Sequence, residues 1–193
     1  MKRFQVKVCG NNNIENFKEI VAIEPDYVGF IFYPKSKRFV KDESIFEVFP
    51  NAEKVGVFVN ESIENILEKV EQYKLDVVQL HGDETADFCE ELINQKHQRL
   101  LTDESFLDFK IWKAVGIKSI EDFQQLTTYQ QVVDSFVFDT KSSYYGGTGK
   151  KFDWQLLINY QLSTPFLLSG GITLDDAFIL KNFQHPRCIG FDI

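Results

Sequence analysis

Reactive side chains stand at the ends of short apolar runs in this sequence. Cys9-Gly10-Asn11 follows Val6-Lys7-Val8, and Asp139-Thr140-Lys141 follows Phe136-Val137-Phe138. His81-Gly82-Asp83 follows Val78-Gln79-Leu80, and Ser169-Gly170-Gly171 follows Phe166-Leu167-Leu168. A thiolate at Cys9, beside Lys7, and a carboxylic acid at Asp139 make a base and an acid for moving protons. The plainer alternatives are a buried small hydrophobe for Cys9 and a cap or an ion pair with Lys141 for Asp139. His81 suits a substrate contact or a structural hydrogen bond equally well.

Two further segments suit an anionic ligand. In Ser169-Gly170-Gly171 the glycines let backbone N–H groups approach an anion, and a helix starting near Thr173 would add its positive end. The loop Tyr33-Pro34-Lys35-Ser36-Lys37-Arg38 carries three cations in six residues of an otherwise acidic chain. Arg38 has the planar fork that grips a carboxylate through two hydrogen bonds. Tyr144-Tyr145-Gly146-Gly147-Thr148-Gly149-Lys150 is rich in glycine but lacks the spacing of a nucleotide-binding loop, and it reads as a lid. No His/Asp/Glu cluster has metal-site character, so no metal or cofactor is expected.

The elements that must position these groups alternate along the chain. Strands are expected at 5–9, 27–32, 54–59, 77–81, 110–115, 135–139, 166–168 and 188–192. Helical spacing of apolar residues marks 14–23, 63–73, 86–93 and 119–129, with starts signalled at Asn13, Ser62 and Thr173. Strand–helix alternation implies parallel strands, in an open doubly wound sheet or a closed (β/α)8 TIM barrel. Lys7 and Cys9 alternate with Val6 and Val8, Gln79 and His81 with Val78 and Leu80, and Ser135 and Asp139 with Phe136 and Phe138. Polar positions facing an interior and apolar ones facing helices favour the barrel. In a barrel the strand ends listing Cys9, Arg38, His81, Asp139 and Gly170 share one face, where such folds carry their sites.

Composition narrows the function classes. The chain has 193 residues, 44% of them hydrophobic, and a formal net charge of −8. One domain spanning 1–193 is expected, and the acidic balance argues against nucleic acid as a partner. Three cysteines without metal or redox spacing suggest reduced thiols and a cytoplasmic protein. Neither a signal peptide nor a membrane span is evident.

The motifs, taken in order, resemble the phosphoribosylanthranilate isomerases of tryptophan biosynthesis. The resemblance rests on Lys7-Val8-Cys9-Gly10, Gly29-Phe30-Ile31-Phe32-Tyr33-Pro34-Lys35-Ser36-Lys37-Arg38, Val78-Gln79-Leu80-His81-Gly82-Asp83-Glu84, Phe138-Asp139-Thr140-Lys141, Tyr145-Gly146-Gly147-Thr148-Gly149-Lys150 and Leu168-Ser169-Gly170-Gly171-Ile172. It implies a (β/α)8 barrel and an Amadori rearrangement of a phosphosugar, N-(5-phosphoribosyl)anthranilate, without a cofactor. It further implies Asp139 as general acid, Cys9 as general base, Arg38 on the anthranilate carboxylate, and Gly170, Gly171, Gly190 and Asp192 around the phosphate. Competing readings are another phosphate-binding barrel, such as indoleglycerol-phosphate synthase, and a non-catalytic or degenerate phosphosugar binder. The former calls for a Lys and Glu set at the strand ends, and the latter has no need of Cys9 and Asp139.

Two departures from the family accompany the resemblance. The sequence stops at Gly190-Phe191-Asp192-Ile193, before the loop and last helix that follow strand 8 in the family. As a whole molecule, such a chain is expected to be less stable, to bind phosphate poorly and to expose apolar surface that favours a homo-oligomer. The stretch 95–109 lengthens the link into the fifth strand, without an evident role.

Overall fold

Alternation along the strands is what closes the sheet. The computed structural model describes residues 3–48, 51–140 and 151–193. Its strands are β1 (Gln5–Cys9), β2 (Tyr27–Ile31), β3 (Glu53–Phe58), β4 (Val77–Leu80), β5 (Lys110–Ile117), β6 (Ser135–Thr140), β7 (Phe166–Leu168) and β8 (Cys188–Asp192). They are parallel, pair in sequence order, and close where β8 pairs with β1. Tyr27, Ile31, Val55, Val57, Val77, Trp112, Ala114, Val137 and Leu167 fill the interior. Phe58, Val78, Leu80, Phe136, Phe138, Phe166 and Leu168 pack in the outer layer. The (β/α)8 TIM barrel expected from alternation is thus the observed architecture.

The phenylalanine-rich composition serves that outer layer. Phe138 meets Phe123, Tyr160 and Phe166 at ring-centroid distances of 5.6, 5.1 and 4.7 Å. Around the strands lie α1 (Ile14–Ala22), α2 (Ile63–Tyr73), α3 (Ala86–Thr102), α4 (Glu121–Gln124) and α5 (Ala177–Lys181). Short 3₁₀ turns at Glu43–Glu47, Gln125–Tyr129, Trp154–Asn159 and Leu174–Asp176 supply the rest of the covering. Side chains of Asn13, Ser62 and Thr85 accept from Asn16, Asn65 and Phe88 N–H groups, satisfying donors that a helix start leaves free.

Two elements differ from the sequence expectation. The segment 119–129 breaks into α4 and a 3₁₀ turn, because Thr127 and Thr128 hydroxyls bond back to the carbonyls of Gln124 and Gln125. Such local bonds compete with a continuing helix. α3 runs nine residues past Ile93, so half of the stretch 95–109 is helix. The remainder is a plug: Phe106 and Phe109 are buried, and Lys96 donates to the Phe109 carbonyl at 3.0 Å while pairing with Asp108 at 2.9 Å.

The end of the barrel opposite the reactive residues is tied by a repeated device. Asp26, Asp76 and Asp134 stand just before β2, β4 and β6. Their carboxylates accept the backbone N–H of Val6, Lys54 and Ile111 at 2.9, 2.7 and 2.7 Å. Their own N–H groups donate to the carbonyls of those same residues. Each aspartate therefore locks an odd-numbered strand to its even-numbered neighbour. Hydrogen bonds to charged groups are worth about 1.5–3 kcal/mol. Asp76→Ala is expected to lower unfolding free energy by about that amount in urea titration, with kcat/KM unchanged, because the clamp lies far from the strand ends that carry chemistry.

Candidate active site

The carboxyl ends of β1 and β6 bring the two expected proton-transfer groups to one mouth. Cys9 ends β1, and its register partner on β2 is Gly29. A Cβ at Gly29 would lie 2.8 Å from Cys9 Sγ and 3.2 Å from Lys7 Cε. Glycine is therefore what lets the thiol and the lysine stem share this face. Asp139 lies near the end of β6, and its Oδ1 accepts the Thr140 N–H at 2.6 Å. Burial raises the Asp139 carboxyl above the usual range and Asp192's charge adds to this, against the Thr140 N–H, Arg38 and Lys7. A raised carboxyl is the direction a general acid requires.

Below Cys9 lies an ion pair sealed from water. Lys7 Nζ sits 2.9 Å from Asp192 Oδ1, with side-chain exposures of 0% and 7%. Burial opposes the Lys7 ammonium, but Asp192 and Cys9 outweigh it, so its pKa stands above the ordinary lysine value. Burial pushes the Cys9 thiol up, Lys7 pulls it back, Asp192 pushes it up again, and Arg38 pulls it down.

Arg38 reaches this centre from the loop after β2. Its Nη1 donates to the Cys9 carbonyl at 3.3 Å. Gly10, at φ +85°, makes room: a Cβ there would stand 2.6 Å from Arg38 Cδ. The guanidinium thus lies beside the thiol with donors left for an incoming carboxylate.

His81 stands beside Asp139 at the mouth, with Nε2 3.8 Å from Oδ2. Burial pushes its pKa down to about 4, helped by Lys113, Lys7 and Arg38. The imidazole is therefore neutral at pH 7, and the pair is not an ion pair. A second buried network holds the loop behind His81. Glu84 accepts from Asn60 N–H, Gly82 N–H and Lys113 Nζ at 2.7, 2.9 and 3.1 Å. Lys113 also donates to the Gly82 carbonyl at 2.7 Å.

Gly170 and Gly171 have φ values of +88° and +67°. A Cβ on Gly170 would lie 2.8 Å from Asp139 Oδ1 and 2.7 Å from Thr140 Oγ1. The glycine turn therefore leans directly on the acid. The element that follows is only a 3₁₀ turn and the five-residue α5. Its Asp176 carboxylate already accepts the Thr173 N–H and hydroxyl at 2.7 and 3.1 Å. The helix end adds little for an anion, and the backbone of the glycine turn is what this segment could offer one.

The two β8 residues expected at the phosphate have contacts of their own within the barrel. Gly190 pairs with Gln5, at the far end of β1 from Cys9, and a Cβ there would collide with the Gln5 carbonyl. Close strand packing accounts for this glycine. Asp192 turns its carboxylate inward, where it accepts from Lys7 Nζ at 2.9 Å. Lys141 and the glycine-rich segment Tyr144 to Lys150 lie outside the described residues. The sealed Lys7–Asp192 pair and the Glu84–Lys113 support were not anticipated. Parity gave a signal for the first: a lysine two residues before Cys9 on the same face must point inward and find a carboxylate.

A closed (β/α)8 barrel with an acid, a thiol, a guanidinium and a glycine cradle at the carboxyl ends of its strands defines an enzyme that moves protons on an anionic substrate. Comparison with known proteins makes the class specific. The family model described as N-(5'phosphoribosyl)anthranilate (PRA) isomerase matches residues 6–193. The N-(5'-phosphoribosyl)anthranilate isomerase of Parabacteroides distasonis is 42% identical over 193 residues, covering 97% of this chain and 82% of its own. That of Thermoanaerobacter sp. is 39% identical over 190 residues, covering 96% and 85%. The crystal structure of phosphoribosyl anthranilate isomerase from Thermotoga maritima superposes with a TM-score of 0.75 at 32% identity, over 98% of this chain and 88% of that one. A structure of the enzyme in complex with reduced 1-(o-carboxyphenylamino)-1-deoxyribulose 5-phosphate gives 0.73 at 28% identity, over 99% and 87%. This chain belongs to the N-(5'-phosphoribosyl)anthranilate isomerase family.

The contact between the glycine turn and the acid is directly testable. Gly170→Ala would place a methyl against Asp139 and force a left-handed backbone on a residue with a Cβ. Displacing the acid by about 1 Å is expected to lower kcat/KM about a hundredfold, with the circular dichroism spectrum retained.

Proposed function

We propose that this chain carries out the reaction for which its family is named, the Amadori rearrangement of N-(5'-phosphoribosyl)anthranilate to 1-(2-carboxyphenylamino)-1-deoxyribulose 5-phosphate in tryptophan biosynthesis. The observation that carries the assignment of roles is the pairing of a raised, shielded carboxyl at Asp139 with an inward thiol at Cys9, both at the mouth of one barrel. Asp139 gives its proton to the furanose ring oxygen. The C1–O bond breaks, and the nitrogen lone pair forms the C1=N iminium of a Schiff base. The Cys9 thiolate then takes the proton from C2. The C2–H electron pair forms the C1=C2 bond of an enolamine and neutralises the iminium nitrogen. Protonation at C1 and loss of the hydroxyl proton at C2 give the ketone.

The charges match this course. The iminium acidifies C2–H, so a thiolate is a sufficient base, and the hydrogen moves as a proton with no net redox change. Arg38 holds the anthranilate carboxylate, and the Gly170–Gly171 backbone receives the phosphate. Neutral His81 stands where it can hydrogen-bond a sugar hydroxyl or the acid itself. Three cysteines outside any disulfide fit a cytoplasmic setting, and among the described residues no helix is long and apolar enough to cross a membrane.

Cys9→Ser and Asp139→Asn are each expected to lower kcat by about 10²–10⁴, read as the rate at which anthranilate-adduct fluorescence is lost. Wild-type-like turnover by Asp139→Asn would remove the acid from this scheme.

The directions of the two shifts also fix the pH profile. Activity needs protonated Asp139 together with ionised Cys9. Both pKa values are raised, and the ordinary thiol value from which the shift starts lies well above the carboxyl's. Below the Asp139 pKa the acid is saturated and thiolate falls with pH. Above the Cys9 pKa thiolate is saturated and protonated Asp139 falls. A plot of kcat/KM should therefore be flat-topped, with its acid limb belonging to Asp139 and its alkaline limb set by Cys9. Asp139→Asn should convert it to a residual activity that rises through the Cys9 pKa and does not decline. A bell retained in that variant would contradict the assignment.

A further inference from the structure

A lysine with no exposed surface is not explained by the stability of the fold alone. Desolvating an ammonium and a carboxylate costs several kcal/mol each, and a well-packed apolar pair of similar volume is often as stable. The Lys7–Asp192 pair is nonetheless placed in the wall of the reaction chamber. Its position is specific. Lys7 precedes Cys9 by two residues on the same strand face, and Gly29 opens the space in which Lys7 Cε and Cys9 Sγ converge. Asp192 approaches from β8, the strand on the other side of β1, and fixes the ammonium at 2.9 Å.

We propose that Lys7 is a positioning residue for the isomerisation: anchored by Asp192, its ammonium is the fixed positive charge against which the Cys9 thiolate forms. This rests on the reading of Cys9 as the base. The groups facing Cys9 are Lys7 on its own strand, Asp192 on β8 and Arg38 from the loop after β2, while β2 itself offers only uncharged Gly29. Asp139 on β6 and His81 after β4 line the opposite side of the mouth. When the substrate carboxylate occupies Arg38, Lys7 is, among the described residues, the cation that remains for the sulfur. Of the charges acting on Cys9, that of Lys7 weighs most, ahead of Asp192 and Arg38. Asp192 therefore has two opposed effects. It holds the ammonium in place, and its own charge discourages the thiolate.

The pair can be tested on the thiol itself, apart from turnover. Cys89 and Cys188 are fully buried, so iodoacetamide on the folded protein reads Cys9, with Cys9→Ser as the blank. In Lys7→Met the midpoint of the alkylation-rate profile should rise by about one pH unit or more, a tenfold slower reaction at a fixed pH below it. In Asp192→Asn it should fall. The double variant Lys7→Met/Asp192→Asn leaves no unpaired buried charge, so it should recover the stability lost by Lys7→Met while keeping the raised midpoint. The alkaline limb of kcat/KM should move with the alkylation midpoint in each variant. A double variant that regains stability and titrates like wild type would reduce the pair to a structural role and overturn the proposal. Retained isomerase activity in Cys9→Ser would overturn the base assignment instead, and the alkylation midpoints would still report on Lys7.

Discussion

The seam between β8 and β1 is the constraint on which the rest depends. Seven of the eight strand contacts join neighbours in sequence, but this one joins the two ends of the chain and sets the register of the ring. Lys7 lies opposite Asp192, and the backbone N–H groups of Cys9 and Ile193 donate to the carbonyls of Ile193 and Lys7, each at 3.0 Å. Because side chains alternate with a period of two, a slip of β1 by one residue here would turn Lys7 and Cys9 out toward the helices and leave Asp192 without its partner. Closure and chemistry are therefore the same condition. The buried ion pair enforces that register electrostatically, since Lys7 and Asp192 inside the barrel have no water to replace one another.

The interior that results is divided by height. Trp112 and Tyr27 meet edge to face at 4.9 Å and belong to the apolar filling, together with valines from β3, β4 and β6. Polar side chains occupy the layer above. That gradient explains why two ionisable groups with opposite tasks behave so similarly. Burial raises both Asp139 and Cys9, which suits the acid proposed at Asp139 and opposes the base proposed at Cys9. The protein cannot desolvate one without desolvating the other, as both line a single narrow mouth. It can only add a local charge beside the group that is disfavoured, and the lysine two residues before the thiol is such a charge.

Much of this was legible in the sequence, and what was not has identifiable reasons. The eight strands followed from alternating residues such as Ser135, Phe136, Val137, Phe138 and Asp139, because a period of two is a local property. Cys9, Arg38, His81 and Asp139 could be placed at one mouth as soon as the barrel was granted. The packing of Gly190 against Gln5 and the turn of Asp192 onto Lys7 were not legible, because the level of a residue within the barrel is set by cross-strand register, which only the neighbouring strand reveals. The break in the helix at 119–129 was hidden for another reason. Its apolar spacing is helical, and it is the hydroxyls of Thr127 and Thr128 that end it.

The glycines complete the physical account, since the site is defined as much by missing side chains as by reactive ones. Gly10 leaves the channel through which Arg38 reaches the Cys9 carbonyl, Gly29 leaves the space shared by Cys9 and Lys7, and Gly170 brings the anion cradle against Asp139. In each case the atom nearest to the absent methyl belongs to a group with a chemical task or to its neighbour in the chain. Only Gly10 and Gly170 among these have left-handed backbones, so conformational freedom does not explain Gly29. It sits in regular strand geometry, where glycine weakens a sheet. That cost is retained at the one β2 position opposite the thiol, where any side chain would press the sulfur away from the ammonium. A glycine in a strand interior, facing a cysteine and a buried lysine, is therefore a mark of function that can be read before any ligand is seen.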